Sequence, residues 1–273
     1  MYVHYAGELM RNNAFSLIFF MSLLILASRV DGIGQESWIK ILNTKCNTDC
    51  SGIGSDLIDC SATKDSGCAI LLNSNAVEGD FGVLMSNHRG VGFICKVDQT
   101  GEIIWNRSFA GSLSSSELHN IEIDDGFYII SQVCFDCNSN NYGGGVPPST
   151  DRLGISNVVV VRLDSNANQK WYGVYGGTAG EYHVTGAVAS NGDCVITGNT
   201  ESNDRFFMGM NKGVTDVFLI RINSHGEVAL KKTFGGSGGD DPFTLSIRNN
   251  NIILAVDAGS EDGDFKNTTP GGV

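Results

Sequence analysis

The chain has few charged residues and particularly few basic ones. Asp, Glu, Lys and Arg make up 18% of its 273 residues, and 18 Lys and Arg stand against 30 Asp and Glu, for a formal net charge of −12. Nucleic-acid binding needs a positive surface that attracts phosphate groups, so this charge argues against such a partner. Proline numbers only 4, while 41% of residues are hydrophobic, which excludes a collagen-like or disordered chain.

Long apolar runs are missing except for one near the N-terminus. The run at 14–27 (AFSLIFFMSLLILA) follows Arg11 and precedes Val30-Asp31-Gly32, the order found in secretory signal peptides. It is shorter than the roughly 20 residues of a membrane-spanning helix. We therefore expect residues 1–32 to be an N-terminal extension with a cleaved signal peptide, and a secreted or cell-surface protein without a membrane span after its removal. An uncleaved anchor is the alternative.

Eight cysteines follow this segment, and an even number in an exported chain predicts disulfide bonds. The sequence does not determine their pairing. A redox or zinc site at the Cys134-x-x-Cys137 pair is disfavoured, because neither a βαβ context nor a second pair of matching spacing is present. The candidate disulfide cysteines are Cys46, Cys50, Cys60, Cys68, Cys95, Cys134, Cys137 and Cys194.

Glycine is abundant, with 35 residues, and much of it belongs to a repeat of about sixty residues. Trp105 opens WNRSFAGS, Trp171 opens WYGVYGGT and Leu230 opens LKKTFGGS, while Trp38 opens the degraded copy WIKILNTK. These starting residues predict repeats over about 38–101, 102–167, 168–226 and 227–273.

Each repeat contains four short β-type segments separated by turn sequences. Asp124-Asp125-Gly126 and Asn191-Gly192-Asp193 are hairpin signals between apolar runs, and a β-branched run such as VVVVRLD at 158–164 follows a longer loop. Four antiparallel strands in a period of this size predict an all-β protein of β-propeller blades, about four in number with the last one truncated. A β-sandwich or β-solenoid is the alternative.

The aromatic residues at fixed places in the repeats are expected to pack between neighbouring sheets. Carbohydrate stacking is the alternative role for them. These structural repeat anchors are Trp38, Trp105, Trp171, Phe109, Tyr175 and Phe234.

The order Trp-x-x-x-aromatic-Gly-Gly-Ser/Thr, followed by an acidic residue, a hairpin and VFLIRIN, resembles the tryptophan and YGG type of β-propeller repeat in secreted and cell-surface proteins. The resemblance covers about residues 90–273 and implies a propeller fold without implying one activity. Ala110 in place of glycine, Leu230 in place of tryptophan and the inserted loop at 136–153 depart from the pattern.

No unique catalytic constellation stands out in the sequence. Glu117, Glu181 and Asp241 follow the glycine-rich turns at what the repeat pattern treats as equivalent places, and His119 and His183 follow in two of them. Because these residues recur with the repeat, we expect them to cap backbone amides rather than to act as acids and bases. We predict no catalytic residues, no cofactor and no metal site. The acidic loops at 78–80, 204 and 262–264 leave calcium binding open.

Two glycosylation sequons occur, at Asn106 and Asn267. Together these features predict a non-catalytic extracellular scaffold or interaction module with an unknown protein or glycan partner. The alternatives are a carbohydrate-binding or adhesive propeller and a hydrolase whose catalytic part lies elsewhere. We also expect the chain to be a fragment of a longer protein, because its fourth repeat lacks the segment that corresponds to 215–226.

Overall fold

The protein is all-β in the part that the structure describes. This computed structural model describes residues 3–7, 20–27, 38–45, 56–74, 78–79, 91–109, 116–121, 124, 126–134, 154–248 and 251–266. Within these ranges helical structure is limited to 3-10 turns at Arg205–Phe207 and Gly263–Phe265. The strands are β1 Val3–Gly7, β2 Phe20–Ala27, β3 Trp38–Lys45, β4 Asp56–Ala62, β5 Cys68–Ser74, β6 Glu78–Gly79, β7 Val91–Val97, β8 Ile103–Phe109, β9 Ser116–Ile121, β10 Gly126–Cys134, β11 Ser156–Leu163, β12 Gln169–Tyr175, β13 Glu181–Val188, β14 Cys194–Thr200, β15 Asp216–Ile222, β16 Val228–Phe234, β17 Asp240–Arg248 and β18 Asn251–Ala258.

Three sheets of four antiparallel strands and one two-stranded sheet follow each other along the chain. We call β4-β5-β7-β8 the first repeat sheet, β9 to β12 the second, β13 to β16 the third, and β17-β18 the fourth hairpin. This arrangement is consistent with partial propeller blades, as the sequence predicts. The chain divides into two compact units, of which the first contains the first repeat sheet and the second contains the remaining two sheets and the hairpin.

The first unit also contains a sheet that the repeat pattern does not predict. Its strand order is β1-β2-β3-β6, and Phe20–Ala27 of the expected signal peptide pairs along its whole length with Trp38–Lys45. The ladder gives hydrogen-bond partners to the backbone groups of both segments. Cleavage after residue 32 stays a prediction, and it would remove both β1 and β2 from this sheet.

The third and fourth strands of every repeat sheet are joined by the same type of turn. The side chain of Asp98 accepts hydrogen bonds from the amides of Thr100 (2.8 Å) and Glu102 (3.0 Å). Asp164 and Asn223 make the matching bonds in the second and third sheets. Asp and Asn form such turns because their short side chains reach backbone amides two residues ahead. The same side-chain-to-amide turn therefore recurs at one place in all three repeat sheets.

The sheets are offset from the sequence repeats. Trp105 lies in β8 and Trp171 in β12, the fourth strands of the first and second sheets, and each pairs with the third strand that precedes it. The sheets consequently span 56–109, 116–175 and 181–234, whereas the sequence repeats begin at the aromatic anchor. The tight turn after the third strand lets the following strand, which contains the aromatic anchor, pair with that third strand as the last strand of the same sheet.

The main core of the second unit lies where the second and third sheets pack against each other. Gly186 of β13 lies so close to this core that a Cβ there would be 2.1 Å from the Cδ1 atom of Ile130. Burial of these apolar side chains is the main stabilising contribution in this unit. The cluster consists of Ile121, Tyr128, Ile130, Val158, Val160, Tyr175, Cys194, Ile196, Phe207, Phe218, Ile220 and Ile222.

The fourth hairpin packs against the third sheet through β17, which contacts β13, β14 and β15. Along β18 the side chains alternate between half-buried and exposed. Phe243 and Ile253 are large apolar residues of the hairpin that are 81% and 56% exposed. The hairpin therefore buries one face and leaves the other open to solvent within the described part of the second unit.

Candidate functional site

The glycine-rich turns between consecutive sheets carry a recurring polar network in the second unit. We call residues 176–180, between β12 and β13, and residues 235–239, between β16 and β17, the Gly-Gly turns. Each turn ends on a parallel bridge to the start of the third strand of the preceding sheet, Ser156 to Gly180 and Thr215 to Gly239. The same backbone geometry thus recurs in two successive repeats.

An aspartate from the loop after the second strand holds each Gly-Gly turn. Asp204 accepts hydrogen bonds from the Thr178 amide (2.8 Å) and from the Thr178 hydroxyl (2.9 Å). Asp262 accepts one from the Ser237 amide at 2.6 Å. The bond from the backbone amide is the main reason why the pKa of each aspartate lies below its usual value. We call these two arrangements the turn clamps.

A serine two residues earlier completes each turn clamp. The Ser202 hydroxyl accepts a hydrogen bond from the Ala179 amide (3.2 Å), and the Ser260 hydroxyl accepts one from the Gly238 amide (2.9 Å). Backbone amides of the Gly-Gly turns that could bind an anion therefore donate to side chains of the protein itself. These glycine-rich segments are therefore turns that are held by side chains of the protein itself.

A buried carboxylate lies behind each turn clamp. Glu181 accepts hydrogen bonds from the Thr200 hydroxyl (2.8 Å) and from the Asn157 side-chain amide (3.0 Å). Burial raises the pKa of Glu181, and hydrogen bonds from Ser202 and the Gly177 amide partly oppose that effect. Its position requires glycine nearby, because a Cβ at Gly176 would lie 2.3 Å from a Glu181 carboxylate oxygen.

The next repeat has the same arrangement with one chemical change. Asp240 takes the place of Glu181 and accepts hydrogen bonds from the Ser260 amide (3.0 Å) and hydroxyl (2.7 Å). Asp216 takes the place of Asn157, so an amide donor is replaced by a second carboxylate. Burial and the nearby Asp240 charge raise the pKa of Asp216, and one of its oxygens, Oδ1, is buried without a hydrogen-bond partner. Lys212 and Asp264 form an ion pair beside it.

The structure changes the alignment of the acidic residues that the sequence treated as equivalent. Glu181 pairs with Thr200 and Asp240 with Ala258, so Asp240 rather than Asp241 corresponds to Glu181. Glu117 lies further along its strand, opposite Ile130. The expected equivalence of Glu117, Glu181 and Asp241 is therefore wrong. Relative to the strand with which each pairs, β9 begins later than β13, and β9 lacks the bulge that β13 has.

Glu117 nevertheless bonds to a backbone amide, as expected for a capping residue. Its carboxylate accepts hydrogen bonds from the Gly186 amide (2.8 Å) and the His119 ring (3.0 Å). Burial by itself raises the Glu117 pKa, but the bonds from His119, Thr185 and Gly186 outweigh it, and the pKa lies below its usual value.

His183 and Asp241 form a second acid and histidine pair, at the contact between the third sheet and the fourth hairpin. The His183 ring and the Asp241 carboxylate are 3.3 Å apart, both are largely exposed, and Asn199 donates to the same carboxylate. His183 has a φ of 52°, in the left-handed region that non-glycine residues seldom adopt. A bulge in β13 places it there.

Five of the six aromatic anchors lie in the fourth strand of a repeat sheet, and Trp38 lies in an inner strand of the N-terminal sheet. The Trp171 ring packs against Tyr128 with centroids 5.7 Å apart and donates its Nε1–H to the Ser224 carbonyl at 2.9 Å. Tyr175 is buried against Phe206. Phe234 and Trp105 are half-buried in β16 and β8, and Phe109 and Trp38 lie in β8 and β3.

The cysteines have different environments. Cys194 lies as a free thiol in the core cluster, where burial raises its pKa. Cys60 and Cys68 lie on neighbouring strands, and burial together with the Cys60 charge raises the pKa of Cys68 to about 11. Cys95 is buried in β7, and Cys134 is in β10. Cys46, Cys50 and Cys137 lie outside the described residues, and all disulfide bonding stays a prediction.

The two sequons also differ. Asn106 lies in β8 opposite Cys95 and is half-buried, a poor position for a glycan. Asn267 lies outside the described residues.

Sequence reasoning missed a cation that recurs in the third strand of every repeat sheet. Lys96, Arg162 and Arg221 occupy the same ladder position, and each pairs with an aspartate in the turn before the second strand. Lys96 lies 2.9 Å from Asp65, and the Nε atom of Arg221 lies 2.7 Å from Asp193. The sequence pattern that could have revealed this cation is Lys/Arg-x-Asp/Asn, which occurs at the end of each β-branched run.

Arg162 is the most buried of the three cations. Its guanidinium bonds to Asp124 and lies 5.2 Å from the centre of the Tyr128 ring. A buried guanidinium needs both a counter-ion and hydrogen-bond acceptors, which makes Asp124 structurally important.

Comparison with known proteins gives no match to a family model and none to a curated protein. Within the described ranges, no group of three or more His, Cys, Asp or Glu is placed to hold a metal ion. No helix in the same ranges is long and apolar enough to cross a membrane. The geometry of the turns and strands is therefore the basis for a functional argument.

Proposed function

We propose that this chain is a non-catalytic interaction or scaffold module of a secreted or cell-surface protein, built from propeller-type repeat sheets. The observation that carries the proposal is the use of the recurring polar side chains. Asp204, Asp262, Glu181 and Asp240 bind turn amides and hydroxyls of their own repeat. Carboxylates used in this way hold loops in shape and present a fixed surface.

Charge and composition support the same proposal. The net charge of −12 keeps an exported module soluble and disfavours anionic partners such as nucleic acid. The apolar leader at 14–27 and the even cysteine number favour export, and cysteine oxidation and glycosylation at Asn106 or Asn267 belong to that proposal.

The two alternative functions receive less support. A sugar-stacking role would use an exposed aromatic face, whereas Trp171 packs against Tyr128 and bonds to Ser224. A hydrolase would need an acid and base pair that faces substrate. Both acid and histidine pairs are already bonded to the protein: Glu117, paired with His119, also accepts the Gly186 amide. Asp241, paired with His183, also accepts the Asn199 side-chain amide.

Hydrolysis assays on the full chain test the non-catalytic part of the proposal. We expect no turnover of glycoside, ester or peptide substrates above the buffer rate, and the same result for Glu117→Gln. Turnover that Glu117→Gln abolishes, with the fold retained by circular dichroism, would overturn the proposal in favour of an enzyme.

Intact-mass analysis of exported protein tests the compartment. We expect a mature chain that begins after residue 32. A membrane-retained form that still contains Phe20–Ala27 would contradict this expectation.

A further inference from the structure

The two junctions between consecutive sheets differ by one buried acid. At the bridge that ends the first Gly-Gly turn, Asn157 lies beside Glu181, and at the bridge that ends the second, Asp216 lies beside Asp240. All four residues are completely buried. We call them the amide–acid pair and the two-acid pair. A hydrogen-bond donor of the first pair is thus replaced by a second acid in the other.

The unpartnered oxygen of Asp216 lies where Asn157 has its amide nitrogen. A Cβ on Gly176 would lie 2.3 Å from the Nδ2 atom of Asn157. A Cβ on Gly235, the corresponding glycine, would lie 2.3 Å from the Oδ1 atom of Asp216. The Nδ2 atom donates to the Glu181 carboxylate at 3.0 Å, whereas Oδ1 has no hydrogen-bond partner among the described residues. Because an ionised carboxylate has no hydrogen to donate, an ionised two-acid pair lacks the bond that joins the amide–acid pair.

Charged groups from three elements face Asp216. Lys212, in the loop before β15, has its ammonium 3.8 Å from the Oδ2 atom of Asp216, but this ammonium also pairs with Asp264 of the second 3-10 turn. Asp240, at the start of β17, adds a further negative charge. Burial is the main reason why the pKa of Asp216 is raised, and the charges of Asp240 and Asp264 act in the same direction, against Lys212.

Asp240 connects this place to the fourth hairpin and to the second Gly-Gly turn. Its carboxylate accepts hydrogen bonds from the Gly236 amide (3.2 Å) and from the Ser260 amide (3.0 Å). Its own amide donates to the Thr215 carbonyl at 3.0 Å. A bond from Asp216 to Asp240 therefore adds a side-chain link to the backbone link between the third sheet and the hairpin.

We propose that the two-acid pair is a proton-operated lock, in which the Oδ1 atom of Asp216 takes up a proton and donates it in a hydrogen bond to the Asp240 carboxylate. The proton takes the place of the amide hydrogen that Asn157 donates to Glu181. It comes from hydronium in the solvent and returns to water when Asp216 ionises. The lock strengthens the contact between the third sheet and the fourth hairpin in acidic surroundings, whether the chain is an interaction module or an enzyme.

The raised pKa fixes the direction of the effect on stability. Asp216 has its ordinary pKa of 3.8 in the unfolded chain and a higher pKa in the folded chain, so folding takes up a proton. The contribution of Asp216 to the free energy of unfolding is therefore fully present below pH 3.8. It is lost as pH rises through the folded-state pKa.

Asp216→Asn tests the lock, because it supplies the missing donor at every pH and copies the amide–acid pair. At pH 7 the unfolding equilibrium constant of the variant should be at least about fivefold smaller than that of the parent, since a buried group regains its partner. This difference should shrink as pH is lowered to about 4. Urea unfolding of the full chain measures both. A variant that is equally or less stable than the parent at pH 7 would overturn the proposal and assign Asp216 as an ionised partner of Lys212.

Asn157→Asp is the reciprocal variant and should convert the amide–acid pair into a second lock. Its loss of stability relative to the parent should be greater at pH 7 than at pH 4, and equal losses would count against the proposal. Glu261→Gln removes one negative charge from an exposed position near the hairpin. It controls for the net charge and should change the unfolding equilibrium constant by less than about twofold.

Nuclear magnetic resonance of the parent chain, labelled with carbon-13 at the aspartate carboxyl groups, reads the proton directly. The Asp216 signal, identified by its absence in Asp216→Asn, should titrate with a midpoint above 3.8. A midpoint at or below 3.8 overturns the proposal. Calcium chloride is the probe for a cation at Oδ1: a Tm of the parent that calcium raises, with no such rise in Asp216→Asn, also overturns it. These outcomes leave the non-catalytic function intact, since turnover tests that function.

Discussion

Val195 and Ile253 occupy the same ladder position in consecutive repeats, but Val195 is 1% exposed and Ile253 is 56% exposed. Val195 alternates with the core residues Cys194 and Ile196, so its side chain lies on the face of β14 towards β17. The difference in burial arises because the fourth hairpin covers the third sheet, while no described strand of the second unit covers the fourth hairpin.

Matched truncations at these two positions should differ in their effect on stability. Val195→Ala removes two buried methyl groups and should lower the free energy of unfolding by about 2 kcal/mol. Ile253→Ala should change it by less than about 0.5 kcal/mol, as for other surface positions. Urea denaturation of the full chain measures both values. Equal losses would show that the two environments are not different.

Glu181→Ala should be strongly destabilising. The substitution leaves the Thr200 hydroxyl buried without its acceptor, which costs about 1–3 kcal/mol, and removes one of the acceptors of the Asn157 side-chain amide. Glu201→Ala, at an exposed neighbouring position, is the matched control and should have little effect. Thermal and urea unfolding measure the difference, and similar losses for the two variants would contradict the buried network.

The pH dependence of stability should also reveal Glu181. Its pKa is raised by burial above the ordinary value of 4.5, so its contribution to stability is fully present below pH 4.5 and is lost as pH rises through the folded-state pKa. Glu181→Gln cannot titrate. The free energy of unfolding of the parent chain minus that of Glu181→Gln should therefore fall as pH increases from about 4 to 7. A rise over this range would contradict the raised pKa.

The effects of substituting Asp124 and Arg162 on the free energy of unfolding should not be additive. Asp124→Asn leaves the buried Arg162 guanidinium without its counter-ion and should cost about 1–3 kcal/mol, because Asp124 is half-exposed and Arg162 keeps the Leu163 carbonyl as an acceptor. Adding Arg162→Met removes the buried charge and should recover a large part of that loss. Urea unfolding of both single variants and the double variant gives the coupling energy. Strictly additive losses would show that the pair does not interact.

The turn clamp at Asp204 should control the local opening of its Gly-Gly turn. Asp204→Ala removes the acceptor for the Thr178 amide, whose hydrogen exchange should become faster. Because the Asp204 pKa lies below 3.8, mainly through that amide, the clamp should persist at neutral pH and weaken as pH falls through the lowered pKa. Glu261→Ala is the exposed control, and exchange at Thr178 that is unchanged in Asp204→Ala would contradict the clamp.

The local turns and strands were predictable from the sequence, whereas their grouping into sheets was not. Asp98 and Asn223 mark their turns through bonds to amides a few residues away, so short sequence windows contain the necessary information. The assignment of Trp105 to the preceding sheet depends on which strands pair, and the anchor pattern does not indicate that.

The candidate site was partly predictable for the same reason. The sequence predicts that Glu181 bonds to backbone, and the Gly177 amide does bond to it. The predicted equivalence of Asp241 is wrong by one residue, because only the pairing of strands shows which of two adjacent aspartates corresponds to Glu181. The ion pairs between a third-strand cation and an aspartate were not predicted, because the aspartate lies at a different distance from the second strand in different repeats. Asp124 lies two residues before the second strand of its sheet, whereas Asp193 directly precedes its own.

The turn clamps are local in sequence. Thr178 and Asp204 are 26 residues apart, Ser237 and Asp262 are 25 apart, and the bonded pair Asp240 and Ser260 are 20 apart. Each clamp is therefore encoded within a single repeat length of DNA. A duplication or deletion of one repeat would therefore carry both partners of its clamp together.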